Sequence, residues 1–236
     1  MSAIKPANEG QLSHRSISRT AGIFYVLTFV SIPSIGLYSG VKSADYMVGS
    51  GSDNAAVTGA ILEIIVGLAG IATAATLFPI LKKQNESAAL GLVAARILES
   101  ATIFVGVAFI MAIIALRDSG AGESGLATSH ALVALYNRIF LVGQSFMPAI
   151  CDLLLGFLLY KSRLVPRRLS IIGIVGGPIL IAGYLAQMFD LAGRSSAVAG
   201  LSAIPVALFE FSLGVWLIVK GFDAEEAAKL ESRTTG

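Results

Sequence analysis

The sequence predicts an all-α protein, a polytopic membrane bundle of six transmembrane helices with both termini cytoplasmic. Three observations predict it. Only 14% of the 236 residues are charged and 55% are hydrophobic, with a mean hydropathy of +0.79, whereas a soluble domain carries about 25% charged residues. The apolar residues fall in six runs of about 20 residues or more, the length that crosses a hydrocarbon core about 30 Å thick. Lysine and arginine also alternate between the connecting segments. Lys5, Arg15, Arg19, Lys82, Lys83, Lys161, Arg163, Arg167, Arg168, Lys220, Lys229 and Arg233 fall in the leader, the second and fourth connections and the tail. Lys42, Arg117 and Arg194 fall singly in the other connections. By the positive-inside rule that bias puts both termini in the cytoplasm.

Residues 1–19 are polar and read as a disordered or surface-lying cytoplasmic leader. The first span, 20–41, is too long for the core of a secretory signal, about 7–15 residues. Pro33 interrupts it, a break tolerated where neighbouring helices satisfy the freed carbonyl. Ser52, Asp53 and Asn54 offer caps for the second span, 55–81, which carries Glu63 and ends at the basic turn Lys82-Lys83. The third span, 88–116, carries Arg96 and Glu99 and is long enough to require tilt or protrusion. The fourth, 131–160, holds Arg138, Gln144 and Asp152, with a kink expected at Pro148, which lacks a backbone donor. The fifth, 169–189, offers Gly173 and Gly177 as a small-xxx-small face for close packing, including contact in a homo- or hetero-oligomer. The sixth, 198–219, carries Glu210 and ends near Trp216, an expected interfacial anchor. In the tail, 220–236, Asp223 and Glu226 form a capping pattern for a short amphipathic helix.

Six charges, Glu63, Arg96, Glu99, Arg138, Asp152 and Glu210, lie inside these spans. Each costs about 2.5–3.5 kcal/mol at bilayer depth on insertion scales, so they must face one another or a polar interior. Arg96 and Glu99 stand three apart on one helix face and can pair directly. With Glu210 they share one depth near the middle of their helices, and Glu63 and Arg138 share a second level where they are expected to pair. Asp152, roughly 21 Å along the helix from Arg138, is placed near the cytoplasmic mouth, in a salt-bridge or capping role beside Lys161 and Arg163. Glu63, Arg96, Glu99, Arg138 and Glu210 form the candidate ligand or proton site. The plainer reading is a set of static pairs that fix helix register. Four acids against two bases would leave an excess of negative charge, so at least one acid is expected to hold a proton.

Several chemistries are excluded. A lone cysteine, Cys151, rules out an intrachain disulfide and a multi-cysteine metal site. His14 and His130 lie outside the apolar runs, which argues against haem held between helices. There is no GxxxxGK[ST] loop or HExxH pair, no G-x-S-x-G elbow, no voltage-sensing arginine repeat and no selectivity-filter sequence. No metal or cofactor is expected. A net charge of +2 is too small to imply a nucleic-acid partner.

In the stretch from Gly156 to Leu185, the residues Gly156, Leu158, Leu159, Tyr160, Ser162, Leu164, Pro166, Arg167, Gly183 and Tyr184 form a recognisable pattern. It resembles the bacterial multi-pass membrane proteins grouped as domain-of-unknown-function family 4386 (DUF4386). The opening Arg19–Tyr25 and the Arg96/Glu99 helix are similar to that family as well, while Arg163 and Ser170 stand where glycine is usual. The resemblance implies a six-span protein of the bacterial cytoplasmic (inner) membrane and supplies no catalytic residue. The basic hairpin of Lys161, Arg163, Arg167 and Arg168 suits anionic lipid headgroups, besides acting as a topogenic signal. Three functional readings stay open, all with the lipid bilayer as partner. One is non-enzymatic transport or sensing of a small solute or lipid. The second is an intramembrane enzyme acting on a lipid through a carboxylate such as Glu99 or Glu210, and the third is a structural or partner-binding subunit.

Overall fold

The computed structural model describes residues 7–49, 52–191, 193 and 197–232, so Lys5, Arg194 and Arg233 of the charge count lie outside the described residues. Helix α1 (Ala7–Leu27) begins well inside the predicted leader and runs unbroken into the first span, so residues 7–19 are helical rather than a loose surface segment. Arg15 ties this helix to α8 (Ala197–Val219): its Nη2 donates to the carbonyls of Ile218 and Val219 at 3.0 Å each. Those carbonyls belong to the last turn of a helix and have no intrahelical donor of their own. Pro33 breaks the first span as expected, leaving a 3₁₀ turn at Thr28–Ser31 and a one-turn helix α2 (Ser34–Leu37).

The next elements are α3 (Asn54–Leu81) and α4 (Glu86–Asp118). Asn85 caps α4 by accepting from the Ala88 N–H at 2.9 Å. Helix α5 (Leu126–Phe140), a π-helical turn (Leu141–Phe146) and α6 (Met147–Ser162) form one continuous run. The irregularity expected at Pro148 thus appears one turn earlier, where widening the helix accommodates a proline that cannot donate backward. Helix α7 (Arg167–Met188) and α8 complete six segments long and apolar enough to cross a membrane.

Successive spans pack on one another, and α1 closes the ring by packing on both α3 and α8. Small residues permit the closest crossings. A Cβ on Gly22 would lie 2.6 Å from the Gly214 carbonyl oxygen, so only glycine allows α1 and α8 to meet there. Gly173 and Gly177 serve the same purpose inside the chain. A Cβ on Gly173 would meet the Phe209 ring at 2.7 Å, and one on Gly177 the Ala149 carbonyl at 2.8 Å. The face expected to serve an oligomer is therefore filled by α8 and α6.

The two ends of the bundle are fastened differently. At one end Arg117 donates to Asp53 Oδ1 and to the Gly49 carbonyl, 2.7 Å each, holding both residues against α4. At the other end the tail folds back at Gly221 (φ +80°), and the Asp223 N–H donates to the Leu164 carbonyl at 2.9 Å. Asp223 Oδ1 then caps α9 (Ala224–Ser232) by accepting from the Glu225 and Glu226 N–H groups at 3.0 Å, as the sequence pattern predicts. Ala227 and Leu230 are buried under it. Glu231 completes the docking, 3.2 Å from Lys83 Nζ and 2.9 Å from His14 Nε2.

The Lys83 hydrogen bond, with the His14 contact, holds the Glu231 carboxyl below its ordinary value of 4.5. A depressed carboxyl stabilises docking fully above that ordinary value and loses the contribution as pH falls through the folded value. Proteolysis at the Gly221 turn is accordingly expected to be slow at neutral pH and to quicken in acid. Glu231→Gln is expected to quicken it a few-fold at neutral pH. A variant cut at the wild-type rate at neutral pH would contradict this docking role.

Candidate functional site

Helix arithmetic sets the depth of the buried charges. Arg96 lies about 15 Å from the start of α4, Asp152 about 15 Å from the end of α6 and Glu210 about 14 Å from the end of α8. All three distances are measured from the same end of the bundle, the one carrying α9. The three residues therefore share a level.

Arg96 is the centre of that level. Its Nη1 donates to both oxygens of Glu99, at 2.9 and 3.2 Å. Its Nη2 donates to Glu210 Oε1 at 2.6 Å and to the Tyr25 hydroxyl of α1 at 3.1 Å. Asp152 Oδ1 stands 3.9 Å from the same Nη2. Arg96, Glu99, Asp152 and Tyr25 are buried, and the Glu210 side chain is only 13% exposed. Cys151 Sγ lies 3.5 Å from Glu99 Oε2. Among the described residues no hydrogen-bond partner meets either carboxylate oxygen of Asp152, and none meets Arg96 Nε. One guanidinium thus faces three carboxyl groups. In apolar surroundings such a set needs neutralisation, because an unpaired buried charge is the costliest element a fold can hold.

This placement corrects the expected position of Asp152. It lies among the central charges rather than at the mouth beside Lys161 and Arg163, because the last ten residues of α6 separate it from the basic turn. Pairing of Glu63 with Arg138 also fails. Glu63 is 1% exposed and is held by neutral donors: Tyr136 at 2.8 Å, Tyr38 at 3.2 Å, Gln144 Nε2 at 3.3 Å and Ser34 at 3.4 Å. Arg138 is exposed, and among the described residues no ion pair joins it to Glu63. Tyr136 faces Glu63, and a residue two positions further along a helix is turned about 200° away. Equal depth did not imply equal azimuth. Lys42 Nζ stands over the rings of Tyr136 and Tyr38, 3.9 and 5.1 Å from their centroids, so a cation backs the two phenols that hold Glu63.

The cluster borders a cavity of about 220 Å³ lined by Arg96, Glu99, Ser100, Gln144 and Glu210. An adjoining cavity of about 500 Å³ shares Gln144 and Glu210 with it and reaches Gln187. A third, about 300 Å³, shares Gln187 and contains Arg138 and Asp190. Polar side chains therefore step from the cluster toward the end of the bundle opposite α9. Gln144 belongs to the π-helical turn, lines the first two cavities and also bonds Glu63, so it joins the two polar levels. The sequence marked it only as a polar residue inside a span. The tyrosines at 25, 38 and 136 were not foreseen either. Their signal was a phenol within an apolar helix, where its hydroxyl needs a partner. Among the described residues no three His, Cys, Asp or Glu side chains converge to hold a metal ion.

Six apolar spans around a buried charged cluster define a multi-pass membrane protein with a polar interior. The family model "Domain of unknown function (DUF4386)" matches residues 20–221, and the chain belongs to that family. The match covers all six spans and stops short of α9. No curated protein and no solved structure matches the chain.

Removing one member of such a network separates its charge roles. Arg96→Met leaves three carboxyl groups without their cation and is expected to cost about 3–5 kcal/mol, the range for breaking a buried ion pair. Asp152→Asn removes a carboxylate that no hydrogen-bond donor among the described residues satisfies, so stability is expected to hold or rise. Thermal unfolding of both variants in detergent checks the pair, and an Asp152→Asn variant as damaged as Arg96→Met would overturn the assignment.

Proposed function

We propose that this chain is a bacterial inner-membrane protein that binds a small positively charged solute at the Arg96, Glu99, Asp152 and Glu210 cluster, for transport or sensing. The observation that carries this reading is the ratio of three carboxyl groups to one guanidinium, with Glu99 and Glu210 lining a cavity beside that arginine. The missing positive charge must come from a proton or from a bound cation. A cavity of about 220 Å³ has room for a cation of a few heavy atoms. Carboxylates grouped on one arginine, rather than converging on one point, suit an organic ammonium or guanidinium ion. Glu63, held by phenol donors, is a second buried acid that touches this route only through its bond from Gln144. Arg138 and Asp190 stand at that route's mouth.

Orientation in this reading follows the positive-inside rule. Arg15, Arg19, Lys82, Lys83, Lys161, Arg163, Arg167, Arg168, Lys220 and Lys229 lie at the end carrying α9, against Lys42 and Arg117 at the other. The α9 end is then cytoplasmic, and the stepped cavities open away from the cytoplasm.

Thermal unfolding of the purified protein with guanidinium, methylammonium or ethanolammonium chloride tests this, with sodium chloride at equal ionic strength as the control. A bound cation stabilises the fold it binds, so the unfolding temperature is expected to rise with cation concentration and the rise to vanish in Glu99→Gln and Glu210→Gln. If no organic cation shifts the unfolding temperature of the wild type, the solute reading falls.

A further inference from the structure

At the α9 end the structure assigns a second, separate binding site: a cradle for a phosphate-bearing anion between the α6–α7 turn and the α8–α9 turn. The cavity there measures about 620 Å³, and Arg163, Arg167, Arg168 and Lys220 all line it. Among the described residues, none of these four cations takes part in an ion pair. The two acids on its wall are already engaged. Asp223 Oδ1 caps α9, and Glu226 lies 3.3 Å from Lys229. The cavity therefore presents four positive side chains that no ion pair among the described residues neutralises, against two acids engaged elsewhere.

The cradle is built rather than incidental. Leu164 and Val165 are buried, and the Asp223 N–H bond to the Leu164 carbonyl fastens one turn to the other. Trp216 donates from Nε1 to the Gly221 carbonyl at 3.2 Å, fixing the indole against the second turn. Arg167 is steadied over the Tyr160 ring, its Cζ 4.8 Å from the centroid. Arg163 adopts φ +57°, a left-handed conformation that glycine takes without strain and arginine does not. Keeping a long cation at that position costs stability and gains a guanidinium at the rim. Lys161, expected to act with the other three, stands over Phe157 at 5.8 Å and does not line the cavity. Lys220, which the sequence did not group with them, takes its place.

Guanidinium groups bind phosphate oxygens through paired N–H donors, and lysine adds a point charge. The cradle lies at the ends of three spans with a tryptophan beside it, the depth at which headgroups meet protein. The shared chemistry is a phosphate group, and its two sources are an anionic phospholipid and free phosphate.

The test uses the full chain in nanodiscs of zwitterionic lipid doped with phosphatidylglycerol. Lipid retained through mild delipidation is counted by native mass spectrometry. Each cation removed from the cradle lining is expected to weaken binding about fivefold, so Arg167→Gln with Lys220→Gln loses roughly 25-fold. Lys161→Gln keeps wild-type retention, and the charge-preserving Arg167→Lys with Lys220→Arg confirms that a folded cradle binds. Inorganic phosphate, titrated at matched ionic strength, distinguishes the sources. Release of the lipid by millimolar phosphate means that the cradle reads the phosphate alone, and retention means that it reads a lipid. Equal binding by wild type and the double Gln variant would overturn the proposal. So would a loss in Lys161→Gln as large as in the double variant, or no preference of the wild type for either anion.

Discussion

A single guanidinium fixes the geometry of this bundle. Arg96 reaches Glu99 on its own helix, Glu210 on α8 and Tyr25 on α1, and it lies beside Asp152 on α6. Three helices, α4, α8 and α1, are thus held to one depth by hydrogen bonds from a side chain that presents its donors in a fixed planar fork, with α6 beside them. An ion-pair network in such surroundings gains little stability over apolar packing. What it provides is register: sliding α4 or α8 by one turn, about 5.4 Å, would part Arg96 from Glu210 and strand a charge in the interior. Gly22 and Gly214 let α1 approach α8 closely enough for Tyr25 to reach the guanidinium.

Above that level the π-helical turn gives α5 and α6 a shared axis without regular bonding. Such turns recur at functional sites because the widened coil leaves backbone groups and side chains less committed. Here the turn carries Gln144, which bonds Glu63 on one side and lines the cavity beside Glu210 on the other. Glu63 in turn is surrounded by phenols and a serine rather than by a paired cation. Two acid levels of different character result, one organised by an arginine and one by neutral donors, with an amide between them.

The spans were legible because apolar run length is a strong signal, and their observed bounds differ from the sequence reading by a few residues except at α1. There the polar leader hid a helix whose reason for forming, Arg15 on the ends of α8, is a long-range contact. The pairing of Arg96 with Glu99 could be read from spacing alone, and Glu210 joined them by depth. Depth failed for Glu63 and Arg138 because azimuth around the helix decides contact, and it failed for Asp152 because depth was reckoned from Arg138 rather than from the end of α6. The small-xxx-small face of Gly173 and Gly177 was recognised correctly as a close-packing surface. Its partners, Phe209 and Ala149, belong to helices of the same chain, and no local pattern could have said so.

The claim on which the rest stands is that Arg96 acts through charge rather than through packing volume. Thermal unfolding of Arg96→Met combined with Glu99→Gln, Asp152→Asn and Glu210→Gln measures this most directly. Neutralising the whole set removes every stranded charge together, so the quadruple variant is expected to recover most of the stability lost in Arg96→Met alone. A quadruple variant as unstable as the single one would mean that Arg96 is needed for its shape, and the charge-centred account would be wrong.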